Sequence, residues 1–421
     1  MTGLWLRMGN VGVSLLVLLV LAAGCRSSSS PTTPQASAAA ASGATPLAVS
    51  TQPPATTPAA TTTQPPATAA PSTPAPTAAA TPGPLAMPTN VALATPAAPP
   101  APSPAPTAAT VALPASVHLD PMTHAYQTWN NCSAVSTSMV LSYFGIARSQ
   151  GQLGPLFRPN SGDKHVEPRQ LVAFFPNYGL KTMLVESGSV ERVKQLLAAG
   201  FPVITPQWLD HKPDAIGHYR VVRGYDDARG GFLVNDSMIG ADVFYSYDDF
   251  VWLWRAFNYR YLPVYRPGDE PKVLAILGPD ADHQQNLQRA LELFTDLAEQ
   301  NPNDAYLRFS IGTSFYELGN KPEAVAAYER AAQLGLPPKM LWYQFWPVMA
   351  YNDVGNYRAA MALATEQIAG ADTFGEMRYE RGRAYEALGN LPAAIADYHR
   401  AVADDANLTA PHEALKRLGL E

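Results

Sequence analysis

Read as a pattern of apolar and polar positions, the chain changes character three times. Val11 to Ala22 is one apolar run behind Arg7. From Ser27 to about Ala115 no period holds: Ala, Thr, Pro and Ser follow one another, with too few large side chains to offset the entropy of ordering the backbone. The proline spacing excludes helix and strand, so a disordered stalk of coil and polyproline II is expected there. From about Val117 to Arg266 short patterns of both kinds alternate. Ala134 to Phe144 places Ala134, Met139, Leu141 and Phe144 in helical arrangement until Gly145 ends it. Glu167 to Phe175, with Pro168 in its first turn, and Val190 to Ala199 before Gly200 predict two more helices. Runs bounded by Gly, Pro or Asp predict strands at Pro202 to Thr205, Tyr219 to Gly224 and Gly231 to Val234. Tyr247 to Ala256 reads as a helix with Phe250, Leu253 and Trp254 inward, and Tyr259 to Tyr265 as a last strand. Helices first and an antiparallel sheet later is an α+β arrangement.

From about Ala281 to Leu420 the pattern is helical and repeats itself. Gly319, Gly355 and Gly389 each stand beside an asparagine, at successive intervals of 36 and 34 residues. One template fits around these turns: Gly312, Phe315, Gly319, Ala324, Tyr328 and Ala331 in one unit, and Gly382, Tyr385, Gly389, Ala394, Tyr398 and Ala401 in the last. The middle unit supplies Val348, Tyr351, Gly355, Ala360 and Ala364, with Gln367 where the others have Ala. Asp282 to Pro302 offers a half unit through Ala290 and Phe294, and Ala410 to Glu421 suits a capping helix. This segment resembles the tetratricopeptide repeat, a helix-turn-helix unit whose arrays bind peptides or proteins. The resemblance implies an all-α solenoid.

Charge excludes more than it selects. A net charge of −6 over 421 residues without a basic tract argues against nucleic acid as a partner. The apolar run, followed by Ala22, Ala23, Gly24 and Cys25, reads as an export signal too short for a comfortable membrane span. Leu21 to Cys25 resembles the bacterial lipoprotein signal, which implies acylation of Cys25 and an extracytoplasmic protein held to the membrane by lipid. Cys25 and Cys132 are the only cysteines, so a lipidated Cys25 leaves Cys132 as a free thiol, either buried and inert or a nucleophile. The expected organisation is therefore 1–24 signal peptide, 25–115 linker, 116–270 α+β domain and 281–421 repeat domain.

Thiolate chemistry requires a cysteine at a helix start, a base within reach and a group that orients the base. Cys132 precedes the helix that runs to Phe144, where free N–H groups and the helix dipole favour a negative sulfur. His218 opens a strand and is the best placed of the eight histidines to be the base. Asp236, or alternatively Asn235, follows the next strand and could fix the imidazole tautomer. Gln127 could donate its amide to an oxyanion. The structural alternatives are a packed thiol, a core histidine and a turn aspartate. His124, His165 and His211 lack ligand spacing and are assigned to the surface or loops; neither metal nor cofactor is expected. Trp252, Trp254, Phe257 and Tyr259 are expected in the core.

The strings QTWNNCS (127–133), GHYRVVRGYD (217–226) and VNDS (234–237) resemble, in order and spacing, the three signatures of the bacteriocin-processing, double-glycine type cysteine peptidases and their stand-alone relatives. The resemblance implies a papain-like fold over about Val117 to Arg266, with Cys132, His218 and Asp236 as triad and Gln127 as oxyanion residue. Ser133 replaces the glycine of many members, and Gln127 lies one residue closer to the cysteine than its counterpart in papain. An envelope-anchored peptidase acting on peptides or proteins is the expected function, with a further protein partner on the repeats. A silent adaptor, or an amidase or transferase acting on cell-wall peptides, are the rival readings.

Overall fold

A computed structural model describes residues 112–337 and 339–421. The signal segment, Cys25 and nearly all of the stalk lie outside the described residues. In chain order the first domain runs β1 (Ser116–His118), α1 (Cys132–Tyr143), α2 (Gln150–Phe157), α3 (Pro168–Phe174), β2 (Lys181–Thr182), α4 (Val190–Ala198) and β3 (Val203–Trp208). It continues through β4 (Gly217–Asp226), β5 (Gly231–Asp236), β6 (Gly240–Ser246), α5 (Tyr247–Trp254), β7 (Leu262–Tyr265) and α6 (Glu270–Leu277). The strands pair antiparallel in the order β2-β7-β3-β4-β5-β6, with β1 added on β4.

Alternation along the strands divides the core into two layers, because successive side chains leave opposite faces of a sheet. Tyr219 and Val221 of β4, Ile204 of β3 and Leu262 and Val264 of β7 meet α1, α2 and α3. Val222 and Tyr225, Val203 and Tyr265 meet α4, α5 and α6. On the first layer α1 lies close to β4, and small side chains make this approach possible: Ser133, Ala134, Ser136 and Thr137 are all buried, and the Ser136 hydroxyl donates to the Tyr219 carbonyl at 3.1 Å.

The α+β arrangement is as the sequence predicts, with local differences. The first helix begins at Cys132 rather than Ala134, so the thiol stands within its first turn. The last strand starts only at Leu262, since Asn258 and Tyr259 take left-handed backbone angles (φ 56° and 50°) that a strand cannot continue through. Helix α2 escapes a reading by periodicity because Gly151, Gly154 and Pro155 interrupt its eight residues. β6 escapes it because its side chains are half-buried or exposed on both faces.

The second domain comprises α7 (His283–Gln300), α8 (Ala305–Glu317), α9 (Lys321–Leu334), α10 (Trp346–Asp353), α11 (Tyr357–Ala369), α12 (Gly375–Ala387), α13 (Leu391–Asp404) and α14 (Thr409–Arg417). The half unit is α7, capped by the Asp282 carboxylate. Each Gly-Asn pair ends one helix and starts the next: Gly319, Gly355 and Gly389 sit at φ 91°, 79° and 81°, as a helix stop in the left-handed region requires. The repeat template is a size match between paired helices. A Cβ on Gly312 would stand 2.7 Å from the Tyr328 ring, and one on Gly382 would stand 2.5 Å from the Tyr398 ring. In the middle unit the sizes are exchanged. Val348 occupies the glycine position and Ala364 the tyrosine position, both fully buried in one cluster.

Gly382→Ala is expected to destabilise the protein by up to about 2 kcal/mol in urea unfolding, the difference between about 1–3 kcal/mol of overpacking against the buried Tyr398 ring and a gain of about 1 kcal/mol in helix propensity. Ala364→Tyr should cost at least as much, and adding Val348→Gly should recover part of that loss.

Candidate active site

Cys132 is the first residue of α1, and no acidic side chain occupies that first turn. The preceding Asn130 takes a left-handed conformation (φ 56°), which asparagine tolerates better than most residues, and its amide donates to the Asp163 carbonyl at 3.3 Å. Asn131 does not cap the helix. Its side chain instead bridges Thr128 and the Arg158 guanidinium, bringing a cation toward the helix start. The thiol is half-buried.

His218 is the second residue of β4, paired across from Gln207 of β3. Its ring is buried, and Nε2 donates to Asp236 Oδ1 at 3.0 Å, which leaves Nδ1 for the sulfur. Burial pushes the Cys132 thiol up, but the hydrogen bond and charge of His218, the Tyr219 backbone N–H and the Arg158 charge outweigh it, so the thiol lies below its ordinary value. Burial pulls His218 down, and its bonds to Asp236 and to Cys132 together with their charges raise it above 6.5. The two shifts reinforce each other and favour a thiolate beside an imidazolium.

Asp236 ends β5. Burial alone would raise its carboxyl, but His218 and the Arg220 charge, with the N–H groups of Met238 and Ile239 at 2.8 and 3.1 Å, hold it well below the usual carboxylate range. Asn235, the alternative orienting residue, faces the other side of the sheet, where its Oδ1 accepts from the Asp242 N–H at 3.2 Å. Gln127 meets the same cleft. Its backbone N–H donates to the Ser237 carbonyl at 2.8 Å, and its Oε1 accepts from the Ser237 hydroxyl at 2.7 Å. The amide nitrogen is therefore the end left to donate.

Three contributors were not visible as such in the sequence. Arg220 lies on the same face of β4 as His218, fully buried, and its Nε donates to Asp236 Oδ2 at 2.8 Å. Its other nitrogens reach Gln207 Oε1 and the carbonyls of Trp208 and Leu209. The available signal was a charge two residues after the histidine, on the same face of the strand. Ser237 positions Gln127, and Arg158 acts from α2's C-terminal end; both needed the folded geometry.

Of the surface or loop positions expected for it, His165 takes the loop, between α2 and α3, but not the surface. It is buried where the two domains meet, edge-on to Phe345, and desolvation lowers it to about 4, so it is neutral at pH 7. His124 is half-buried, with Nε2 at 2.9 Å from the Asp236 carbonyl, and His211 lies over Trp252 at the surface. Trp254 and Phe257 are buried as expected, whereas Trp252 and Tyr259 are only half-buried. Among the described residues no group of three or more His, Cys, Asp or Glu is arranged to hold a metal ion.

Cys132, His218 and Gln127 open on a cleft of about 640 Å³ whose far wall comes from the second domain. The connection from Gly335 to Phe345, between α9 and α10, carries Tyr343 to within 2.9 Å of where a Cβ on Gly217 would stand. Any larger residue before His218 would collide with that ring. Gln344 fixes the connection by donating to the Ala256 carbonyl at 2.7 Å.

Arg220→Met should lower the unfolding free energy by about 3–5 kcal/mol in denaturant titrations, because the buried Asp236 carboxylate would lose its permanently charged partner and keep only His218 and two backbone N–H groups. Arg220→Lys should restore little of it, since a single ammonium cannot serve the carboxylate, the amide and two carbonyls together.

Residues 118–266 match the family model described as Peptidase_C39 like family, and residues 277–337 match that described as Tetratricopeptide repeat. No curated protein matches the chain. Among solved structures, a C39-like peptidase from Bacillus anthracis is 16% identical, with 36% of this chain and 98% of that one covered at a TM-score of 0.31. MamA from Desulfovibrio magneticus is 20% identical over 35% of this chain and 82% of its own, with a TM-score of 0.30. The first tetratricopeptide repeat domain of Spaghetti (RPAP3), bound to an HSP90 peptide, is 19% identical over 28% and 90%, with a TM-score of 0.24. With the family matches in hand and the fold described, residues 118–266 are a C39-like peptidase-family domain, and the helical region after it is an array of tetratricopeptide repeats fused to that domain.

Proposed function

We propose that the first domain is a cysteine peptidase working through Cys132, His218 and Asp236. The reading rests on one observation: a half-buried thiol at a helix start, lowered in pKa by a buried histidine that a buried carboxylate holds by its other nitrogen. The thiolate attacks the peptide carbonyl and forms a C–S bond, while the oxyanion takes hydrogen bonds from the Gln127 amide and the free N–H groups of the first turn of α1. The C–N bond then breaks as the His218 imidazolium gives its proton to the leaving amine. Water, deprotonated by His218, hydrolyses the thioester and returns the thiol. Asp236 keeps the ring in the required tautomer and stabilises its charge.

The repeat array supports protein binding. In this reading it brings a protein or peptide substrate to the cleft. Cys25, acylated after export, would tether the protein to the membrane, with the Pro-rich segment giving the domains reach.

A free thiol of pKa near 8.5 is less than about 1% ionised at pH 6. Iodoacetamide should alkylate Cys132 at pH 6 at least tenfold faster than a model peptide thiol. In His218→Ala the midpoint of the pH–rate profile should move upward, since burial then acts on the thiol without its counter-charge. A wild-type rate no greater than the model thiol's would defeat the peptidase reading. Against a fluorogenic peptide library, Gln127→Ala should lower kcat by about 10²–10³-fold.

The anchor is tested separately. Metabolic labelling with an alkyne fatty acid should tag the wild type and spare Cys25→Ser; equal labelling of both would remove the anchor.

A further inference from the structure

Apart from the Cys132–His218 pair, the cleft is charged in one sense only. In a protein of net charge −6, the charged side chains lining it are Lys164, Lys339 and the titratable His218, with no Asp or Glu. The lysines come from different domains. Lys164 belongs to the loop between α2 and α3 of the peptidase domain, and Lys339 to the Gly335–Phe345 connection of the repeats. Both are half-buried, and both face the Trp342 ring, at 5.0 Å and 5.9 Å from its centroid.

Among the described residues that line the cleft, no carboxylate stands beside either lysine. Lys339 is held by a neutral group, the Asp214 carbonyl at 2.7 Å, while the Asp214 side chain is exposed. Asp163, next to Lys164 in the chain, is buried, does not line this cleft, and accepts from the His165 N–H at 2.8 Å. Two ammonium groups that share one aromatic face and line a cleft without Asp or Glu offer a site for an anion from outside. Around them the rim is apolar and exposed, through Tyr126, Trp129 and Met238. A peptide with an acidic residue among apolar ones has both properties.

We propose that Lys164 and Lys339 form a carboxylate-binding subsite beside Cys132, so that the peptide admitted to the cleft carries an acidic side chain near the bond to be cut. This rests on the cysteine-peptidase reading of the same site. It also gives the repeats a second role, because they complete the specificity site and neither domain alone holds the pair.

The test compares two alkylating reagents that differ in charge. Rates of iodoacetate and iodoacetamide are followed at the Cys132 peptide by mass spectrometry in the full chain. Effects on the thiol itself cancel in their ratio. The iodoacetate-to-iodoacetamide ratio should fall roughly three- to tenfold in Lys164→Gln/Lys339→Gln, about what two partly exposed ion pairs supply, with each single variant between. High salt should bring the wild-type ratio toward that of the double variant. A second arm measures protection of Cys132 from iodoacetamide by three short peptides: Glu-containing and C-terminally amidated, Gln-containing and amidated, and Gln-containing with a free C terminus. Best protection by the first assigns the subsite to a side-chain carboxylate. Best protection by the third overturns that assignment in favour of a chain end. A ratio unchanged by the double variant, with no peptide protecting better than the uncharged one, overturns the subsite altogether. The wild-type iodoacetamide rate stands apart from these outcomes and bears only on the nucleophile.

Discussion

Asp236 has no exposed surface, and a carboxylate taken out of water must be given donors or be protonated. This protein gives it His218, Arg220 and two backbone N–H groups. The consequences run outward in both directions. Toward the cleft, the ionised carboxylate holds the imidazole so that its other nitrogen meets the sulfur. Toward the core, the Arg220 guanidinium ties the end of β5 to the side chain of Gln207 and to the chain at Trp208 and Leu209, fixing the rim of the sheet where the site stands.

The thiol depends on a different constraint, the close approach of α1 to β4. Only a helix face of Ser, Ala and Thr can come near enough for the Ser136 hydroxyl to reach a strand carbonyl, and that closeness sets Cys132 beside the start of β4. Size also governs the repeats. Glycine faces tyrosine in the two regular units, and in the middle one valine stands at the glycine position with alanine at the tyrosine position, so the larger side chain changes sides. Close packing ties the size of one side chain to that of the one it meets.

The two domains are joined by chemistry as well as by chain. Trp208, Leu253 and Phe257 of the first share one buried cluster with Phe309, Tyr328 and Trp346 of the second. The Trp208 indole N–H donates to the Tyr306 hydroxyl at 3.2 Å, and Ser310 donates to Asn258 at 2.9 Å. With that interface in place, the connection between α9 and α10 becomes a wall of the cleft, and the repeats contribute to what the cleft can accept.

By itself the sequence determined what local pattern can carry: the helical and strand periods, the glycine-asparagine turns, the small and large positions of the repeats, and three short strings holding the cysteine, histidine and aspartate. Each is set by residues within a turn, a strand or one repeat. Only the tertiary structure decided between Asp236 and Asn235, because neighbours on a strand face opposite sides and the choice depends on which side meets β4 and α1. It alone placed Arg220 under the carboxylate, buried His165 at the domain boundary, and brought Lys339 and Tyr343 to a cleft lying more than a hundred residues earlier in the chain. Those contacts follow from strand register and from how two cores meet, and neither is written in the spacing of residues along one segment.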